Sequence, residues 1–317
     1  MAARLVLIAA LFATAAPARA QTPSPTGPCT ASVNVPPGLT AGIAVYDRRT
    51  GTFTEQSNAH TQFRSASVVK LLIALDHLWG LGPGYWGYTA LSAADIVRIY
   101  RWILDSAPAT LRDIVMGDLR ASTRCGVEGF DQRFGIPASF QQPWAVKQGW
   151  SGFGESSDCA NTTASAAGRR VTTAPGAGGD LARPALHTTG TVGAGDRSIV
   201  AVFTLHPQGT PFGAAYSALD TLVRSLNVPG AVPRSGSWYG TWGSHVQVRA
   251  ETTTSSQALT RLPAGVDALI GCQKQGEEIT DGQYTNDWWA YLPLYGGYIT
   301  NICINCPDNK LPDVPVC

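Results

Sequence analysis

The sequence predicts an α+β protein, with an antiparallel sheet joined to a helical subdomain over residues 39–227 and a small all-β barrel over residues 238–317. Three observations carry this. The apolar patterns run in the order two strands, a helical middle, three strands and a closing helix. Residues 228–237 interrupt any periodicity with Pro229, Gly230, Pro233 and Gly236 and form a linker. From Trp238 onward there is no helical period of any length, only short β-type runs.

The N-terminus comes first in this order. Arg4, an apolar stretch over residues 5–16 and then Ala18-Arg19-Ala20 follow the charged, apolar and small-residue order of a secretory signal, so residues 1–20 are expected to be removed. The stretch is too short for a membrane span. Residues 21–38, rich in proline, read as an extended tether. Residues 41–46 form a short apolar strand, and Asp47-Arg48-Arg49-Thr50-Gly51 turns the chain into a second strand over 52–55. Ser92-Ala93-Ala94-Asp95 resembles a capping box, after which Ile96, Val97, Ile99, Tyr100, Ile103 and Leu104 recur at helical spacing up to Pro108. A further helix covers about 109–119, three strands 144–146, 186–192 and 199–205, and an amphipathic helix about 214–226. The β-type runs of the last region are 245–249, 268–272, 288–293 and 298–303.

A net charge of +1 with 14% charged residues gives no basic patch, which argues against nucleic acid as a partner. The protein is expected to be a secreted monomer, held at most by binding at the cell wall. Seven cysteines in an exported chain read as disulfide material. Cys303-Ile-Asn-Cys306 lacks the second close cysteine pair of a zinc site, so no metal and no cofactor is expected.

Ser67-Val68-Val69-Lys70 opens a run in which Val68, Val69, Leu71, Leu72, Ile73, Ala74 and Leu75 cover every direction around a helix. Ser67 and Lys70 then share one helical side at the mouth of a buried segment. Burial favours a neutral lysine, and a neutral amine beside a hydroxyl can take its proton. Ser67 is the candidate nucleophile and Lys70 its candidate base.

On these residues the larger domain resembles the serine hydrolases that include class A β-lactamases and penicillin-binding D,D-peptidases, whose elements are a Ser-x-x-Lys helix, a Ser-Asp-Asn type loop and a Lys-Thr-Gly strand. Ser67 to Lys70 matches the first, and Lys147-Gln148-Gly149 is similar to the third, with Gln148 in place of a hydroxyl residue. Residues 41–51, 186–190 and 198–205 fit the family's first strand and turn and its last two strands. The resemblance implies acyl transfer: Ser67 attacks an amide or β-lactam carbonyl, Lys70 helps remove its proton, and Lys147 with Gln148 and Gly149 holds the substrate. It further implies an oxyanion hole from the Ser67 N–H and one near Trp150 or Ser151, with Lys147 meeting a substrate carboxylate. The implied partners are peptidoglycan or β-lactam small molecules.

The chain also departs from that pattern. Lys147 follows Lys70 by only 77 positions, and no asparagine lies between them, so no Ser-Asp-Asn type motif exists there. Ser92 and Ser106 in this interval are better explained as helix-end residues, and Glu128, its sole glutamate, sits in a loop-type sequence. The helical subdomain is thus shortened, and turnover is expected to be weak or absent. His187 and His206 read as strand residues rather than as members of a triad.

The last region resembles bacterial SH3-like wall-targeting modules through Val246-Gln247-Val248-Arg249, Leu262-Pro263-Ala264-Gly265, the run from Thr285 to Leu292 and Gly296-Gly297-Tyr298-Ile299. Such a module implies a ligand groove, for which Trp288, Trp289 and Tyr291 are candidates. Cys272 with Cys317 would tie the tail to a domain too small for a large core, and Cys125 with Cys159 is a second possible pair. Three functions stay open: an exported β-lactamase-like hydrolase of β-lactam or D,D-peptide amides, a non-catalytic cell-wall or extracellular ligand-binding protein, and an esterase-type hydrolase using the same Ser67 and Lys70.

Overall fold

The computed structural model describes residues 33–75, 89–126, 129–154, 159, 180 and 182–317. The expected signal segment, most of the proline-rich tether, Cys29 and Glu128 lie outside the described residues. The architecture is α+β, with antiparallel sheets and few helices.

The first sheet has five strands: β1 (Thr40–Asp47), β2 (Thr52–Ser57), β5 (Trp144–Ser151), β6 (Ala185–Val192) and β7 (Ser198–Leu205). They lie in the order β2-β1-β7-β6-β5, and every neighbouring pair is antiparallel. A two-stranded ribbon, β3 (Phe63–Arg64) with β4 (Ala90–Leu91), lies beside it. Strands β6 and β7 are buried along all eight residues, which explains why Ile199 to Phe203 reads as a continuous apolar run rather than an alternating one.

Both faces of this sheet are covered. On one face Ala145, Ala201 and Phe203 meet α2 (Ala93–Asp105), which contributes Ile96, Val97, Tyr100 and Ile103, and α3 (Ala109–Arg120), which contributes Val115, Met116 and Leu119. On the other face Val146, Val200 and Val202 meet a short α4 (Ile136–Ser139) and α5 (Phe212–Arg224), through Ile136 and through Tyr216, Leu219, Leu222 and Val223. Each of the larger side chains so buried stabilises the fold by about 1.5–3 kcal/mol relative to exposure. Helix α2 begins where the sequence places it, because the Ser92 side chain accepts from the Asp95 N–H while the Asp95 carboxylate accepts from the Ser92 N–H. Ser106 ends the same helix.

The C-terminal region is all-β. Strands β9 (Gln247–Arg249), β10 (Ala258–Arg261), β12 (Cys272–Asp281), β13 (Tyr284–Leu292) and β14 (Gly297–Thr300) form a sheet in the order β10-β9-β14-β13-β12, and β8 (Ser237–Gly240) pairs with β11 (Asp267–Ile270). No sheet closes as a barrel, which corrects that expectation: β10 and β12 are the two ends of the larger sheet and do not pair with each other. Closure depends on pairing between distant strands, which local alternation does not encode.

Residues 33–317 form one compact unit. Val248, Leu262, Val266, Ala290, Leu292 and Ile299 join the same buried cluster as α5. The close fit is visible at Ser217, whose hydroxyl accepts from the Asp267 N–H at 2.7 Å. Both expected disulfides are present: Cys125–Cys159 and Cys272–Cys317. The second ties the chain end to the first residue of β12. Among the described residues no helix is long and apolar enough to cross a membrane.

Removing the cap of α2 leaves orphan N–H groups at a helix whose buried face seals the sheet. Ser92→Ala is therefore expected to lower stability by about 1 kcal/mol in urea unfolding; an unchanged midpoint would show that the capping box contributes nothing.

Candidate active site

Ser67 lies in a single 3₁₀ turn, Ala66–Val69, that leads into α1 (Lys70–Leu75). The turn is anchored on its N-terminal side by the β3–β4 ribbon, where the Ser65 N–H donates to Thr89 O at 2.9 Å and the Val68 N–H donates to Ser65 O at 3.0 Å. Arg64 is buried and its guanidinium donates to the carbonyls of Ser151 and Arg183. The Arg64 carbonyl is held by His187 Nε2 at 2.8 Å, while His187 Nδ1 accepts from the Thr204 N–H at 3.2 Å. Those two bonds define a neutral imidazole with its proton on Nε2. Burial pushes its pKa down to about 3. His187 thus supports the backbone three residues before Ser67 rather than serving as a base.

Ala66 has φ of 45°, a left-handed conformation that costs a non-glycine residue of order 1–2 kcal/mol. The bonds around Ser65 and Arg64 hold it there.

The turn packs on edge strand β5 at Gly149. A Cβ at that position would lie 3.3 Å from Ser67 N, 3.2 Å from Ser65 O and 3.0 Å from Val68 Cγ2, so the approach is as close as a residue without a side chain permits. Strand alternation then places Lys147 on the same face as Gly149, and Gln148 and Trp150 on the opposite face. The Gln148 amide is buried there, donating to Gln132 O at 3.0 Å and Phe134 O at 2.6 Å. Its side chain is thereby committed to the core carbonyls. Trp150 packs on Phe130 with ring centroids 5.5 Å apart.

The two lysines occupy unlike environments. Lys70 is exposed, because the 3₁₀ turn brings it to the rim while Val68, Val69 and Leu71 take the buried positions. Lys147 sits in mid-strand and is largely covered, with Nζ donating to Gln148 O at 2.7 Å. Desolvation first, and then the positive charge of Lys70, pulls the Lys147 pKa down to about 7. An amine half neutral near pH 7 therefore stands on the same sheet face as the Ser67 turn.

The remaining sequence-predicted positions lie elsewhere. Trp289 is buried, its Nε1–H donating to Glu277 O at 2.9 Å, and cannot line an open groove. Trp288 is half-buried beneath Lys310, whose Nζ lies 5.1 Å from the ring centroid, and half-buried Tyr291 packs on Tyr298 at 5.1 Å. His206, like His187, is buried with a lowered pKa, about 4, and its Nε2 lies 2.9 Å from Thr204 Oγ1. Sequence reasoning passed over Arg64 and His187 as supports of the turn; the adjacency of Arg64 to the motif was the available signal for the first. Among the described residues no group of three metal-ligating side chains is gathered.

No protein-family model matches the chain. Proteins described as "Putative lipoprotein LppW" from Mycobacterium tuberculosis and Mycobacterium bovis are 31% identical over 173 aligned residues, covering 36% of this chain and 54% of theirs. The chain spans about half the length of these curated relatives. Similar solved structures include PBP-A as an acyl-enzyme complex with penicillin G, with a TM-score of 0.39 and 12% identity over 60% of this chain and 89% of that one. An ancestral class A β-lactamase gives 0.38 and 13% over 59% and 93%, and the class A β-lactamase from Mycobacterium abscessus gives 0.34 and 12% over 59% and 92%.

Gly149→Ala is expected to displace the Ser67 turn and cost about 1–3 kcal/mol of stability, since the added methyl meets backbone on two sides. Gly117→Ala, at an exposed helical position where a Cβ meets nothing, is expected to stabilise by up to about 1 kcal/mol. Equal effects in thermal unfolding would contradict the close approach.

Proposed function

We propose that the protein is an exported serine acyl-transfer protein of the β-lactamase and D,D-peptidase kind, reacting at Ser67 with β-lactam or peptide amides and releasing the acyl group slowly. The observation that carries the reading is the packing of the Ser67 turn on the strand that bears Lys147. Support for export comes from the signal-type N-terminus, from the two disulfides and from the description of the curated relatives as lipoproteins.

In the step envisaged, the Ser67 Oγ–C bond forms as the carbonyl becomes tetrahedral, and the hydroxyl proton passes to the neutral fraction of Lys147. The C–N bond then breaks, the proton moves to the leaving nitrogen, and water later hydrolyses the ester. Lys147 suits the base role because its pKa lies near neutrality. Lys70, charged at the rim, is placed to meet a substrate carboxylate. The oxyanion would lie against the Ser67 N–H and a backbone N–H of β5 near Trp150. With no Ser-Asp-Asn type residue between Lys70 and Lys147, and Glu128 the sole glutamate there, deacylation lacks its usual helpers, so the acyl-enzyme accumulates.

A second reading, a non-catalytic ligand-binding protein of the envelope whose C-terminal SH3-like region binds the wall, is favoured by one observation: no asparagine, and so no Ser-Asp-Asn type motif, lies between Lys70 and Lys147.

Incubation with a fluorescent penicillin followed by intact and peptide mass spectrometry separates the two. The proposal expects an adduct on Ser67, absent in Ser67→Ala, forming at a rate that rises through about pH 7 as Lys147 loses its proton. Lys147→Met is expected to slow it by about 10²-fold or more and to remove that rise. No adduct at saturating drug, with retention on purified peptidoglycan, would favour the second reading.

A further inference from the structure

A cavity of about 710 Å³ lies away from Ser67, between the α4 side of the first sheet and the C-terminal strands. Its size suits a small molecule. Three arginines line it: Arg124, Arg133 and Arg234. Arg124 is balanced, since its guanidinium donates to Asp131 Oδ2 at 2.8 and 3.1 Å and stacks 3.7 Å over the Tyr295 ring. Among the described residues the other two form no ion pair with a carboxylate. Arg133 stands 5.1 Å over the Trp144 ring, and Arg234 spends its Nε–H on Pro137 O at 2.9 Å.

Both are half-buried, and burial opposes the cationic character of each; the Asp131 carboxylate offsets part of this at Arg133, Arg124 adds to it there, and Arg133 adds to it at Arg234. Holding two like charges together in a partly dry wall is unfavourable unless an anion joins them. The rest of the wall fits an organic ligand. Pro293 and Leu294 offer apolar surface beside buried Leu269, and among the described residues the indole N–H of buried Trp144 has no acceptor.

We propose that this cavity binds a small molecule carrying an oxyanion, a carboxylate or a phosphate, which bridges Arg133 and Arg234 while its apolar part packs against Pro293 and Leu294. Guanidinium pairs recognise both groups through paired N–H donors, so the two are distinguished by the probe. The site is independent of Ser67 chemistry.

Calorimetric titration of the full chain at low salt with phenyl phosphate, benzoate and neutral benzamide tests it. One or both anions are expected to bind saturably with a single site, and benzamide at least about 10-fold more weakly. Arg133→Gln and Arg234→Gln are each expected to weaken the anion about 10-fold or more, and Ser67→Ala to leave it unchanged. Because the arginines are partly buried, the exposed rim residue Gln142 supplies a variant that leaves the wall intact: Gln142→Glu should also weaken the anion by several-fold. No saturable binding of either anion, affinity equal to that of benzamide, or affinity unmoved by the three cavity variants would overturn the proposal.

Discussion

The contact on which the site depends is the close approach of the Ser67 turn to Gly149 of β5. A strand alternates its side chains, so once Gly149 faces the turn, Lys147 must face the same way and Gln148 and Trp150 must face the opposite core. From that one constraint come the burial of the Lys147 amine, the like-charge influence of Lys70 upon it, and the commitment of the Gln148 amide to the carbonyls of Gln132 and Phe134. The turn is held on its other side by Arg64, Ser65 and His187, whose hydrogen bonds fix the backbone entering the strained Ala66. Backbone contacts on both sides thus fix the orientation of Ser67.

The opposite face of the sheet serves a different purpose. There α5 and the C-terminal strands share one apolar cluster with Val146, Val200 and Val202. That junction buries polar groups as well, and each finds a distinct solution. Asp220, within α5, accepts from the Gly135 N–H at 2.5 Å and has its pKa raised by desolvation, whereas Asp131 meets Arg124. Among the described residues Arg133 and Arg234 form no ion pair with a carboxylate, which makes the cavity they line chemically distinct from the rest of the interface.

Much of this was legible in the sequence, for identifiable reasons. Strands β1 and β7 and helices α2 and α5 were readable because local periodicity, the Ser92–Asp95 cap and covered faces agree. Strand β12 was missed because it is a largely exposed edge strand, Gln-, Lys- and Glu-rich, with no apolar alternation to see. The exposure of Lys70 was missed because a wholly apolar run suggested burial on all sides. A 3₁₀ start instead turns Lys70 to the rim, while Lys147 is covered on a strand 77 positions further along the chain. The role of His187 was invisible for the same reason: its partners, Arg64 and Thr204, meet it only through the fold.

The protein has four lysines, which makes the central claim directly measurable. In a pH titration of the side-chain amines by NMR of lysine-labelled protein, one signal should titrate near pH 7, vanish in Lys147→Met and move to higher pH in Lys70→Met, where the neighbouring positive charge is gone. Four signals all titrating near the ordinary lysine value of about 10.4 would contradict the placement of a buried amine beside the Ser67 turn.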